Sequence, residues 1–349
     1  MSAYASARVR AWFVEGVENI LKNQCYRMCV APMMDWTDRH CRYFHRGLSA
    51  RARLYTEMVT ADAVLHGDRA YLLGHDVCEQ PLAAQLGGSQ PDKLAAAARI
   101  LEDFGYAEIN LNVGCPSDRV RSGAFGACLM KEPDRVAACV AQMRAAVDIP
   151  VTVKCRIGVD DQDPSETLPG FMDTVAAAGC DVFIVHARKA WLEGLSPKDN
   201  RTIPPLDYDL VADVKAARPE LTVVLNGGLA DLESCAVELE RFDGVMLGRA
   251  AYETPYVLAD VDVRLFGDAA APVSRHTAAE RMIPYIERHV AAGGRPHSVT
   301  RHMLGLFHGE PGARAWRRIL STEASKPGAD AGVLAKALAV FADGREAAA

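Results

Sequence analysis

Cys115 sits on a Gly-Cys-Pro turn at the end of the stretch INLNVGCPSDRV (109–120), three residues after Asn112 and five after Asn110. A strand end that served packing alone would need neither the amides nor the thiol. A cysteine in such a place can carry a proton near neutral pH and leave as a soft thiolate. Other short apolar runs close in a similar way: on Pro32-Met33-Met34, Glu57, Gln85, Lys154 with Arg156, His186 with Arg188, Asn226-Gly227-Gly228 and Gly248-Arg249. Taken singly, each has a plain reading. Lys154 could be an interior lysine paired with an acid, His186 a satisfied core histidine, Asn-Gly-Gly a turn and Cys115 a small buried hydrophobe. Their recurrence at one run end after another favours a shared site.

The last two run ends are the most specific. "NGG" and "GR" leave backbone amides uncovered with Arg249 beside them, the way a barrel holds a phosphate between the loops after its seventh and eighth strands. Gln85, Lys154 and His186 then offer donors around a flat polar ring, and Pro32, Met33 and Met34 offer an apolar bed. Flavin mononucleotide fits that set, with one phosphate and a ring whose N1–O2 side a lysine can polarise.

Such a site needs strands that deliver all these ends to one rim. Eight apolar runs recur: 28–33, 54–59, 82–87, 108–114, 151–157, 182–187, 222–228 and 244–250. Helical spacing lies between several of them, as at Val136, Cys139, Val140, Met143 and Val147, or Leu94, Ala97, Ala98 and Leu101 before Gly105. Eight strand-helix units in about 240 residues match a TIM (β/α)8 barrel. The rival, a doubly wound sheet, lacks its glycine-rich nucleotide turn after the first strand. From about residue 270 the strand signal ends and helical patterns continue, which predicts an α/β barrel followed by an all-α domain, with 268–272 as a linker.

Composition sets the outer bounds. Half of the 349 residues are apolar and a quarter are charged, as expected of a globular chain. No apolar run approaches the ~18–20 residues of a membrane span, and residues 1–27 lack a signal-peptide pattern. The ten cysteines show no framework spacing, which favours a reducing cytoplasm. Cys25, Cys29 and Cys41 find no second close pair to complete a metal site, so no metal is expected. The net charge is −6, yet residues 281–320 hold seven arginines against two glutamates. That segment is +5 and the remainder about −11. In "ARAWRRIL", Arg314, Arg317 and Arg318 share one helix face while Trp316, Ile319 and Leu320 lie toward the other. Such a face is usually only solvated; three arginines without an acid, beside an acidic barrel, favour a polyanion.

Together, "APMMDWTDRHCRYF", "YTEMVT", "QLGGS", "INLNVGCPSDRV", "FGACLM", "VKCRIG", "IVHARKAWLEGLSPKDNR", "PPLDY", "NGG" and "DGVMLGRAAY" resemble the tRNA-dihydrouridine synthases. The longer blocks resemble the subgroup acting at positions 20 and 20a of the D-loop, and the similarity runs from roughly residue 25 to 320. The resemblance implies an N-terminal extension (1–27), an FMN-binding TIM barrel (28–269) and a helical tRNA-binding domain (270–345). It implies reduction of the uridine C5–C6 bond in tRNA, with a hydride from reduced FMN and a proton to C5 from Cys115. Asn112 would hold the uracil edge, and Lys154 and His186 would contact the isoalloxazine ring. The remaining cofactor contacts are those read above: Pro32, Met33, Met34, Gln85, Asn226, Gly227, Gly228, Gly248 and Arg249.

The target uridine must swing out of its stack, and contacts to the RNA backbone must offset that cost. Lys198 and Arg201 of "SPKDNR", with Arg314 and Arg317, are the expected sources. With no dinucleotide fingerprint, NADPH or NADH is expected to dock transiently as reductant. No membrane and no obligate protein partner are expected. The pattern departs from the expected one at Glu310, where relatives are expected to carry an uncharged amide and an acid is expected to weaken a phosphate contact. Three rivals remain: a reductase of free pyrimidines, with no use for the basic tail; a Schiff-base aldolase using Lys154; and an RNA-binding protein without catalysis, with no use for Cys115.

Overall fold

Eight segments dominated by Val, Ile, Leu and Ala form strands buried on both faces, the pattern of an all-parallel sheet covered by helices. They are β1 (Met28–Val30), β2 (Leu54–Thr60), β3 (Leu82–Gly87), β4 (Glu108–Val113), β5 (Val151–Arg156), β6 (Val182–His186), β7 (Thr222–Asn226) and β8 (Gly244–Leu247). This computed structural model describes residues 24–117 and 123–341. Most of the expected N-terminal extension (1–23), Asp118, Arg119 and Val120 of the cysteine motif, and 342–345 of the helical segment lie outside the described residues. The sheet order is β1-β8-β7-β6-β5-β4-β3-β2, with every pair parallel. A parallel bridge between Cys29 and Arg53 joins the two ends. There Val30 N–H donates to the Arg53 carbonyl and Arg53 N–H to the Met28 carbonyl, both at 2.9 Å.

Several strands stop short of the apolar runs. β1 ends at Val30, just before Pro32, which has no N–H to give the ladder, and β7 ends at Asn226 and β8 at Leu247, where glycines turn the chain out of the ladder. Connecting helices include Arg39–Leu48, Pro91–Asp103, Pro133–Arg144, Pro164–Ala177 and Tyr208–Ala216. Gly105 (φ 85°) ends the second of these as its spacing predicts, whereas Val147 falls beyond the third.

Alternate strand residues point into the barrel. At the bottom lies a buried ion pair, Arg53 Nη1 to Glu108 Oε2 at 2.9 Å, with side chains 7% and 0% exposed. Glu108 Oε1 also accepts from Tyr55 Oη (3.0 Å) and Thr152 Oγ1 (2.6 Å). Removing one partner of such a pair costs about 3–5 kcal/mol, because the other charge stays buried. Above it, Ile184, Val224, Met246 and Ala83 fill part of the bore. Polar residues return at the C-terminal end.

After Phe266 the chain is helical: Arg275–Glu280, Ile283–Ala291, Pro296–Thr300, Ala313–Thr322 and Gly332–Ala339. Trp316 anchors this region, buried against Phe307 and donating from Nε1 to the Met303 carbonyl at 3.0 Å. The region meets the barrel at Asp38, the N-cap of Arg39–Leu48, which receives Arg301 Nη2 at 2.6 Å and His302 Nε2 at 3.0 Å. Burial opposes a charged Asp38, but the His302 and Arg301 donors hold its carboxyl well below the usual range. Tyr43 and Tyr285 stack alongside, 4.0 Å between centroids. Among the described residues no helix is long and apolar enough to cross a membrane.

Candidate active site at the barrel mouth

β4 delivers Cys115 to the C-terminal rim, and Asn112 builds the turn that holds it. Asn112 Oδ1 accepts from the backbone N–H of Gly114 and of Cys115, each at 3.0 Å. The Cys115 carbonyl accepts from Ala127 N–H at 2.9 Å. Arg156 closes the turn from the other side: Nε donates to the Gly114 carbonyl (3.1 Å) and Nη1 to the Asn200 carbonyl (2.9 Å). The thiol stays partly exposed, its Sγ 3.4 Å from Ser117 Oγ. Asn112 Nδ2 donates to Gln85 Oε1 at 2.9 Å. The expectation that Asn112 grips a ligand therefore narrows to its second Nδ2 hydrogen, since its oxygen serves the turn.

Among the described residues Lys154 pairs with no acid. Its Nζ donates to Asn226 Oδ1 at 2.9 Å, and Asn226 Nδ2 donates to the Met246 carbonyl at 2.8 Å. Burial, and then the Arg156 charge, bring the Lys154 ammonium down to about 7. Burial, followed by Arg156, Lys154, Arg188 and Arg201, keeps His186 well below its ordinary value, so it stands as neutral imidazole. A proton on or off Lys154 near neutrality suits it to a ring edge that gains electron density.

The turn after β7 requires its glycines. Gly227 has φ 107°, and a Cβ there would lie 2.5 Å from His186 Cδ2. Gly228 has φ 77°, and its Cβ would meet Leu206 Cδ1 at 2.5 Å. Tyr208 Oη donates to the Gly227 carbonyl and holds the turn in place. After β8, Gly248 leads directly into the short helix Arg249–Glu253, with Arg249 exposed at its start. Around this cradle stand Arg188, Arg201 and Arg249. Burial and the nearby Arg249 lower both Arg188 and Arg201. Two guanidinium groups lowered by burial and by a third, with Arg188 Nε buried and unpartnered among the described residues, fit a bound anion. The bare glycine backbone and this charge suit the phosphate of FMN. Pro32 and Met33 are partly buried at the rim, whereas Met34 is 52% exposed.

The loop after β6 brings Lys198 and Arg201 out to solvent, and Arg201 lies close enough to feel Cys115. Buried Asn200 shapes this loop, with Oδ1 accepting from Trp191 N–H (2.7 Å) and Nδ2 donating to the Trp191 carbonyl (2.9 Å). Arg314, Arg317 and Arg318 are exposed on the helix Ala313–Thr322, while Trp316, Ile319 and Leu320 are buried, as the spacing predicts. These arginines belong to the helical region and not to the rim. Glu310 is engaged by Arg275, Nη2 to Oε1 at 3.1 Å, and Arg275 lies 3.8 Å over the Tyr256 ring. Tyr208 and Asn200 went unread in the sequence. Tyr208 acts through one contact, with the Gly227 carbonyl, and Asn200 through several with the backbone of Trp191, Leu195 and Ser196.

Comparison with known proteins gives the family. The family model described as "Dihydrouridine synthase (Dus)" matches residues 29–341. A Pseudomonas syringae pv. tomato protein named tRNA-dihydrouridine(20/20a) synthase is 61% identical over 300 residues, 86% of this chain and 89% of its own. A Shewanella oneidensis protein of the same name is 58% identical over 311 residues, 89% of this chain and 92% of its own. Among solved structures, a 2-naphthoyl-CoA reductase complex superposes with a TM-score of 0.53 at 13% identity. It covers 67% of this chain and 49% of that one, a likeness of fold. The chain belongs to the dihydrouridine synthase family.

Proposed function

We propose that this protein reduces the C5–C6 bond of uridine at positions 20 and 20a in the D-loop of tRNA, using FMN that NADPH or NADH re-reduces. The observation that carries the reading is the meeting at one rim of Cys115, the Lys154–His186–Asn226 group and the Gly227–Gly228 cradle. The relatives' shared name supports the substrate. FMN, when bound, supplies the hydride and takes electrons from the nicotinamide. The chain does the rest. Gly227, Gly228, Gly248 and Arg249 bind the phosphate. Lys154 and neutral His186 orient the ring, with Lys154 balancing charge on it by holding its proton. Pro32, Met33 and Met34 give the ring an apolar border. Cys115, on its capped turn, delivers a proton to uridine C5, and Asn112 and Gln85 offer amide hydrogens beside it. Lys198 and Arg201 hold the RNA near the rim.

Residues 28–269 form the cofactor-binding unit and 270–345 the tRNA-binding unit on this reading; Gly267, at φ 74°, ends the last helix before the division. Arg314 and Arg317 hold phosphates of the tRNA body. The enzyme acts in the cytoplasm without an obligate protein partner. The test is incubation of purified protein with NADPH and unmodified tRNA. Nucleoside mass spectrometry should show uridine gaining two hydrogens at positions 20 and 20a. Unchanged uridine with a fully flavin-loaded protein would refute the reading.

A further inference from the structure

The barrel interior contains a run of hydrogen bonds that all point one way. Gly114 N–H and Cys115 N–H donate to Asn112 Oδ1, and Asn112 Nδ2 donates to Gln85 Oε1 at 2.9 Å. Gln85 Nε2 donates to Asn110 Oδ1 at 2.8 Å, and Asn110 Nδ2 to Thr152 Oγ1 at 2.8 Å. Thr152 Oγ1 donates to Glu108 Oε1 at 2.6 Å. All the side chains in this run are buried. Each link fixes the next. Glu108, held by Arg53, accepts the Thr152 proton, so Thr152 can only accept from Asn110. Asn110 must then turn its oxygen to Gln85, and Gln85 its oxygen to Asn112. The backbone N–H pair at the Cys115 turn demands the same direction from the other end.

From this run we infer that Thr152 and Asn110, which lie below the mouth, are positioning residues that make Gln85 and Asn112 present N–H donors, and not carbonyl acceptors, to the ligand. Each of the two amides has one hydrogen beyond these bonds. A ring edge that accepts hydrogen bonds is thereby selected, and the Cys115 turn is held in the same frame. The inference deepens the proposed function and rests on it for the identity of the ring. It also explains Asn110, whose amide lies too deep to be exposed and links the carboxylate to the mouth.

The test compares Thr152→Val, which keeps the shape and removes the hydroxyl, with Thr152→Ser, which keeps the hydroxyl. In flavin-free protein, the side-chain amide NMR signals of Gln85 and Asn112 should shift in Thr152→Val and stay near the parent in Thr152→Ser. In FMN titrations, Thr152→Val should bind about three- to ten-fold more weakly, with a displaced absorption band, while Thr152→Ser stays within about two-fold. Unmoved Gln85 and Asn112 signals in a folded Thr152→Val protein overturn the inference whatever FMN does. So does an equal loss of FMN affinity in both variants, which would mean packing and not the hydroxyl. A parent that takes up no FMN refutes the flavin reading, and the NMR arm then decides the hydrogen-bond run by itself.

Discussion

The molecule has two positively charged regions, built on opposite plans. At the barrel mouth Lys154, Arg156 and Arg188 are fastened to carbonyls: Asn226 Oδ1 for Lys154, Gly114 and Asn200 for Arg156, and Pro204 for Arg188. Burial first, and then a neighbouring cation, lowers each of them: Arg156 acts on Lys154, Arg201 and Arg188 act on Arg156, and Arg249 acts on Arg188. On the helix Ala313–Thr322 the three arginines stand in water on one face while the other face is packed around Trp316. A fixed, crowded set of charges suits one small anion in one pose. A solvated row suits a long polyanion met in many registers, where released counterions supply the affinity. Substitutions should therefore separate: changes at the mouth should alter cofactor and chemistry, and changes on the helix should alter salt dependence.

The largest effect belongs to Cys115→Ala. Uridine reduction should fall by about 10²–10⁴, the usual worth of a general acid. Flavin content, flavin reduction by NADPH and tRNA affinity should hold, since the turn is capped by Asn112 and not by the thiol. Single-turnover assays with pre-reduced enzyme read the step directly. Parent-like rates would leave Cys115 a packed turn residue.

Gly227→Ala should come next. The backbone there has φ 107° and the new Cβ would press on His186, a strain of about 1–3 kcal/mol. FMN should bind about ten- to a hundred-fold more weakly in titrations with the flavin-stripped protein. The slope of tRNA affinity against salt should not move. A salt slope that changed with this glycine would erase the distinction between the regions.

Much of that distinction is legible in the sequence. Strands, the glycine turn and the Arg314–Arg317–Arg318 face are local patterns, and the structure places each where its spacing implies, apart from the early ends of β1, β7 and β8. The relations that run across the barrel are not local. Glu108 reads as the first residue of an ordinary strand and Thr152 as a β-branched strand residue. Their partnership depends on the alignment of β4 with β5, which no single segment encodes. The same holds for Tyr208 on the Gly227 carbonyl and for Asp38 beneath Arg301 and His302, a contact across more than 260 positions. Glu310 shows the converse limit: the sequence sets an acid among arginines, and the fold gives it to Arg275.

The helix face carries the third prediction. Arg314→Ala with Arg317→Ala should lower the salt slope of tRNA binding by up to about two and weaken binding about ten-fold at moderate salt. FMN affinity and flavin reduction should match the parent, because neither residue belongs to the rim. An unchanged slope with full activity would mean that the face is only solvated and the RNA lies elsewhere.

The smallest effect tests the mouth through pH. Lys154 loses its proton near 7 in the ligand-free protein, far below its ordinary 10.5, because burial and Arg156 oppose the charge. If its cation faces an electron-rich ring edge, FMN binds the protonated form better. Affinity is then fully present below about 7 and declines as pH rises through that value. Between about pH 6.5 and about 7.5 the protonated fraction falls roughly three-fold, which bounds the change in FMN affinity over that interval. The phosphate of FMN works in the opposite direction, since its second ionisation near 6 makes it a better partner for Arg249 as pH rises. Lys154→Met separates the two, because it keeps the phosphate term and removes the ammonium. The parent's affinity divided by the variant's should decrease by up to about three-fold over the interval, in titrations at constant ionic strength. A ratio independent of pH would show that Lys154 holds Asn226 in place without lending its charge to the ring.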